Sequence, residues 1–212
     1  MTMVRRTIGL ISICFFLLQT ARAQIHWAIT AGPQINYAGY KSNGTKLATG
    51  LVAGFTAGIS GRVYFDDKMA FVSGILYSAK GYTVRSLPTD PSKKYQLNYL
   101  EIPVLLQIDL AAKAGQGLYC RMGPSLGIGI SGRESYTGTD GIPVRNTAIL
   151  SVTGNHFGLF DASMNACLGF MHHKKIFAEL AFAYGIGNIN NDVLGAVIKT
   201  RTAAIRIGYC FN

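Results

Sequence analysis

Eight ionisable side chains fall on the small, polar side of alternating runs: the cations Arg62, Lys80, Arg121 and Arg206, and the carboxylates Glu101, Asp109, Asp161 and Glu179. Four charges of each sign in one enclosed space would either relay protons or ions, or pair with one another. Unpaired charge away from water is costly, so a paired network is expected. Other constellations are weaker. Ser151, His156 and Asp161 lie close in the chain and could supply a nucleophile, a base and an orienting acid, but no nucleophile-elbow glycine pattern surrounds Ser151. His172 and His173 are adjacent on a turn, where they should project apart without a third ligand; a solvated turn is expected, not a metal site. Gly123 to Gly129 matches a phosphate-cradling loop in composition only, because no helix follows it. Catalytic, cofactor and metal residues are therefore assigned to none of these positions, and the chain is read as not an enzyme.

The elements that would hold those charges are strands. From Ile25 to Asn212 bulky apolar residues alternate with glycine, serine, asparagine or charge, and the pattern recurs about eight times. Leu118, Cys120, Met122, Leu126, Ile128 and Ile130 alternate with Tyr119, Arg121, Gly123, Ser125, Gly127, Gly129 and Ser131. Ile25, Trp27 and Ile29 oppose His26, Ala28 and Thr30 in the same way, and Ile205, Ile207, Tyr209 and Phe211 oppose Arg206, Gly208 and Cys210. Lipid requires an apolar outer face and a backbone paired between strands, so this pattern predicts an all-β fold, an eight-stranded antiparallel transmembrane β-barrel. Inward positions are rich in glycine, as a narrow lumen requires. Pro103 cannot donate to a ladder and should mark a bulge or an unpaired point. Short turns at Asp66–Lys68, Ala111–Gly117 and His172–Lys175 alternate with longer loops at Ala38–Gly50, Ser86–Tyr95, Gly132–Asn155 and Asn188–Lys199. Short connections belong on the periplasmic side, as do both termini of an even-stranded barrel.

Residues 1–23 read as a cleaved signal peptide: Arg5 and Arg6, an apolar stretch from Ile8 to Leu18, and Ala21-Arg22-Ala23 as the cleavage site. Residues 24–212 then form one barrel domain. Losing the three leader arginines lowers the formal charge from +10 to +7. The remaining cations are scattered and form no basic stripe, so nucleic acid is not expected as a partner. Outer-membrane lipid is, because surface Lys and Arg meet anionic headgroups or glycolipid phosphates. Cys120, Cys167 and Cys210 are odd in number and lack metal-ligand spacing; at most one disulfide could form, and each is expected as a small buried side chain.

The segments Tyr77-Ser78-x-Lys80-Gly81 and Tyr99-Leu100-Glu101-Ile102-Pro103, with Gly32, the Gly123-Pro124 step and the ending Gly208-Tyr209-x-Phe211, resemble the PorT-like outer-membrane β-barrel family of Gram-negative bacteria. The resemblance covers the whole mature chain. It implies an eight-stranded barrel in the bacterial outer membrane and, for the namesake members, a part in protein secretion to the cell surface. The family's motifs are architectural, so no catalytic residue carries over. Ile207, Tyr209 and Phe211 stand where a barrel presents its C-terminal signal to the assembly machinery, although Asn212 follows the last aromatic.

The expected function is structural or surface-binding, with the outer loops offered to an unknown protein or ligand. The alternative is a narrow porin-like solute channel, which needs a continuous water path past the inward charges. An outer-membrane enzyme and a soluble lipocalin-like binder rank lower; the latter needs the reverse polarity, with apolar residues inside.

Overall fold

The computed structural model describes residues 24–42, 44–84, 92–110, 116–138, 142–147, 150–151, 157–190 and 196–211. The expected leader, residues 1–23, lies outside them. In chain order the strands are β1 (Ile25–Ser42), β2 (Thr45–Leu47), β3 (Thr49–Gly50), β4 (Val52–Tyr64), β5 (Met69–Val84), β6 (Lys93–Asp109), β7 (Gly117–Thr137), β8 (Pro143–Thr147), β9 (Leu150–Ser151), β10 (Phe157–Gly158), β11 (Phe160–His172), β12 (Ile176–Gly185) and β13 (Val197–Phe211). Eight of them, β1, β4, β5, β6, β7, β11, β12 and β13, pair with their neighbours in that order, every pair antiparallel. β13 then pairs with β1 and closes the ring.

The closure can be followed residue by residue. Starting at Ile25, successive partners are Val63, Phe71, Leu106, Met122, Ala166, Phe182 and Ala203. Ala203 pairs with Ile35, so one circuit climbs from Ile25 to Ile35 on β1. With strands ~4.8 Å apart and a rise of ~3.3 Å per residue, that stagger tilts the strands by about 40° from the barrel axis. The resulting cylinder is narrow enough for side chains to fill.

Polarity follows the alternation. Trp27, Ile59, Leu168 and Ile205 are each about half exposed, whereas Gln34, Thr56, Ser163 and all eight of the inward charges are buried. This is opposite to a soluble barrel, and the lipocalin-like alternative fails on it. Aromatic pairs mark two heights on the outer wall: Phe65 with Phe71 and Tyr209 with Phe211 near one end, Phe55 with Tyr77 nearer the other. Such girdles are where amphipathic rings meet the two membrane interfaces.

At the end bearing Ile25 and Phe211 two turns are tight, while residues 111–115 of the expected Ala111–Gly117 turn lie outside the described residues. Lys68 N donates to Asp66 Oδ1 across one of them. In the other, His173 (φ 48°) and Lys174 (φ 61°) take the left-handed conformation of a two-residue hairpin between β11 and β12, closed by Lys175 N on His172 O. The two imidazoles do not project apart as expected; their centroids lie 4.0 Å apart, edge to face.

Several expectations need correction. The Gly132–Asn155 segment is not simply a loop, because β7 runs on to Thr137 and β8 pairs back along it. Toward this rim the outward positions are polar as well, so Gly132-Arg133-Glu134-Ser135 shows no alternation by which to recognise it. For the same reason β1 extends to Ser42 and turns back through β2, β6 begins at Lys93 rather than after Tyr95, and β13 begins at Val197. The register between β6 and β7 shifts at Asn98/Tyr99, skipping Ile130, so that Ser131 is exposed rather than inward. Pro103, by contrast, marks an unpaired point as expected: the register is kept, and pairing with β5 lapses opposite it, between Ser73↔Val104 and Leu76↔Glu101. Cys120 is half-buried on the outer wall, unlike the buried Cys167 and Cys210, and all three thiols are free.

Candidate functional site

The lumen is filled in layers. Nearest the short turns, Tyr64 Oη and Gln107 Nε2 donate to the two oxygens of Asp109, at 2.8 and 2.6 Å. Arg62 lies over the Tyr64 ring at 5.3 Å, and its Nη2 reaches the Cys210 sulfur at 3.8 Å. Its Nε and Nη1 are buried without a hydrogen-bond partner. Four cations and four carboxylates therefore do not neutralise one another pair by pair as expected, because β4 places Arg62 in a layer whose carboxylate is already held by a phenol and an amide.

The second layer centres on Glu179. Its Oε2 accepts from Arg121 Nη1 at 2.8 Å and from Tyr119 Oη at 3.0 Å, while its Oε1 lies 2.9 Å from Arg206 Nε. That last contact is a charge contact, since the N–H lacks hydrogen-bond alignment. Arg121 Nε donates to Gln107 Oε1 at 2.9 Å, tying this layer to the one below. Tyr119 and Phe177 also flank the Arg121 guanidinium, at 4.5 and 5.4 Å. These rings fit because Gly169 and Gly208 face them: a Cβ on Gly169 would strike the Tyr119 ring, and one on Gly208 the Phe177 ring.

The third layer has the opposite imbalance, one cation with two carboxylates. Lys80 Nζ lies 2.6 Å from Glu101 and 2.8 Å from Asp161, which also accepts from Thr200 Oγ1 at 2.8 Å. Between the second and third layers small polar side chains bond one another: Asn165 Nδ2 donates to Ser125 Oγ, which in turn bonds Ser163 Oγ. The cavity left there, bordered by Gln34, Thr56, Glu101 and Arg206, holds about 20 Å³, room for about one water. Toward the long loops Tyr82, Leu97, Tyr99, Ile189 and Ile198 form an apolar plug, with Tyr95, Leu150 and Phe157 packed on it. Sequence reasoning missed this plug, because small or polar residues were expected inward and Tyr82, Leu97 and Ile198 are bulky apolar residues at inward positions.

The wall has one lapse of note. β4 pairs with β5 only as far as Thr56↔Ser78, and β3 resumes at Gly50↔Thr83. In the gap Gln34 Nε2 and Asn36 Nδ2 both donate to the Ala79 carbonyl, at 2.9 and 3.1 Å, replacing the missing ladder bonds with side-chain amides. A cavity of about 330 Å³ opens there beside Gly54, Ala79 and Lys80.

Of the assembly-signal residues, Ile207, Tyr209 and Phe211 all project outward from β13 and are exposed. The Ser151, His156 and Asp161 constellation is not assembled among the described residues: His156 and the Ser151 side chain lie outside them, and Asp161 is committed to Lys80 and Thr200.

Among curated proteins no sequence matches the chain. Solved structures similar in outline include the following three. The attachment invasion locus protein Ail of Yersinia pestis, in complex with the heparin analogue sucrose octasulfate, shares 15% identity over 89% of this chain and 99% of that chain, with a TM-score of 0.48. Neisserial surface protein A shares 13% over 87% and 97%, with a TM-score of 0.48. OprG from Pseudomonas aeruginosa shares 15% over 90% and 97%, with a TM-score of 0.42. A family model, the outer membrane protein beta-barrel domain, matches residues 18–191. With its ring of eight strands, its lipid-facing wall and that match, the chain belongs to the outer membrane protein beta-barrel domain family and resides in the bacterial outer membrane.

Proposed function

We propose that this protein is a sealed, non-catalytic barrel that holds a binding surface above the outer membrane. The observation that carries the reading is the lumen: three polar layers and an apolar plug stand in series, with space for about one water between two of them. A continuous water path is what the porin-like alternative requires, and the layered packing argues against it. Secretion to the cell surface, implied by the PorT-like resemblance, is the finer part of this reading, with the β7–β8 hairpin offered to a secreted partner. Ile207, Tyr209 and Phe211 serve as the row offered to the assembly machinery.

Planar-bilayer recording of the purified protein tests the sealed lumen; steady single-channel steps would overturn it. Crosslinking and co-purification from intact outer membranes, with residues 132–155 deleted as the comparison, test the surface. The deletion is expected to remove partners, and an unchanged set would end the hairpin-centred reading. For secretion, loss of the gene should leave surface cargo in the periplasm; normal surface delivery would remove that part alone.

A further inference from the structure

The outer rim where β1 meets β13 carries a cluster of cations that the lumen does not use. Moving up the wall, the outward-facing partners are Ile35↔Ala203, Tyr37↔Arg201, Gly39↔Lys199 and Lys41↔Val197. Beyond them the chain turns, and β2 sets Lys46 directly opposite Lys41. Like charges opposed across a ladder destabilise it. Among the described residues no carboxylate lies within ion-pair distance of Lys41, Lys46, Lys199 or Arg201.

Arg201 is held in place. Its guanidinium lies 5.5 Å from the Tyr37 ring and 4.9 Å from the Tyr184 ring, and its Nε is buried without a partner. Gly39 keeps the floor open: only the Arg201 Nη2, at 3.8 Å, would come near a Cβ there. Around this floor is a cavity of about 710 Å³ bordered by Tyr37, Lys41, Lys46, Leu47, Lys199 and Arg201.

We propose that this cavity binds the phosphorylated headgroup of an outer-leaflet glycolipid. The position selects the ligand class. The cations face sideways from the wall, and the next outward residues below them are the exposed Ile35 and Ile205 with Ala203 between the strands. A ligand here meets charge above and grease below, which suits an amphiphile with an anionic head and acyl chains. A soluble anion would use only half of the surface, and a soluble protein would have to displace lipid to reach it. Phosphate oxygens would relieve the Lys41–Lys46 repulsion and accept from the ammonium groups around them; charge-assisted bonds to phosphate are the strong class of hydrogen bond. The inference goes beyond the sealed-lumen reading and stands whether or not the lumen conducts.

The test uses the full chain in nanodiscs of neutral lipid, titrated with bis-phosphorylated lipid A, with its dephosphorylated form and with inorganic phosphate, and read by native mass spectrometry. Lipid A is expected to remain bound and to be favoured over the dephosphorylated form. Replacing Lys41, Lys46 or Lys199 with Ala should weaken binding about five-fold each, on the basis of ~1 kcal/mol per cation near an anionic surface, and Lys→Arg should restore it. Lys93→Ala and Lys174→Ala, outside the cavity, should leave binding unchanged. Equal retention of both lipid forms, equal binding of inorganic phosphate, or equal loss with the two outside variants would each overturn the proposal. Heat-modifiable gel migration verifies that every variant is folded.

Discussion

Glu179 balances two guanidinium groups with one carboxylate, and Arg62 has a thiol and a ring where a carboxylate was expected. The two positions should respond in opposite ways. Glu179→Gln leaves Arg121 and Arg206 buried and close together, and breaking a buried pair from one side costs about 3–5 kcal/mol; reversible urea unfolding in lipid vesicles should show a loss of that order. Arg62→Met removes a buried cation that forms no ion pair among the described residues, so the same measurement should show no loss or a gain in stability. A loss above about 1 kcal/mol, the net worth of one ordinary hydrogen bond, would mean that Arg62 has an anionic partner. At the wall, Asn36→Leu strips a donor from the Ala79 and Val52 carbonyls. A cost of about 1–3 kcal/mol per group left unsatisfied is expected, again read from urea unfolding.

Strands report their own orientation where one face meets lipid and the other does not, and fall silent elsewhere. Tyr119, Arg121, Ser125 and Gly127 were legible as inward for that reason, and so were Glu101, Asp109, Asp161 and Glu179. Ser131 was not, since a single skipped residue at Ile130 reverses every later side chain on β7. Nor could alternation reveal which charges meet: Lys80 finds Asp161 across the lumen, a contact set by the stagger of the ring rather than by either strand alone. The apolar plug was illegible because Leu97, Tyr82 and Ile198 are bulky apolar residues at inward positions, where small or polar ones were expected. Glycines on the inner wall give a test at this scale. Gly208→Val would drive Phe177 off the Arg121 face and should lower the unfolding midpoint more than Gly39→Val, whose Cβ would meet only the tip of Arg201. Equal effects of the two would show that the ring packing contributes little.

For the molecule as a whole, the lumen is closed more than once. Removing the plug with Tyr82→Ala and Leu97→Ala should therefore produce no current in planar bilayers, because the Lys80, Glu179 and Asp109 layers persist in series below it. Conductance from the plug variant alone would mean that the polar layers are wet.

The join between β1 and β13 also sets an order in time. β1 comes first in the ring, yet one of its two neighbours is β13, the last strand of the ring. Until the two meet, β1 and β13 each keep a row of backbone donors and acceptors unmatched, an open template for any other chain nearby. A protein truncated before Val197 would retain most of its residues and none of its closure, so early termination should yield aggregates or protease fragments rather than a smaller barrel.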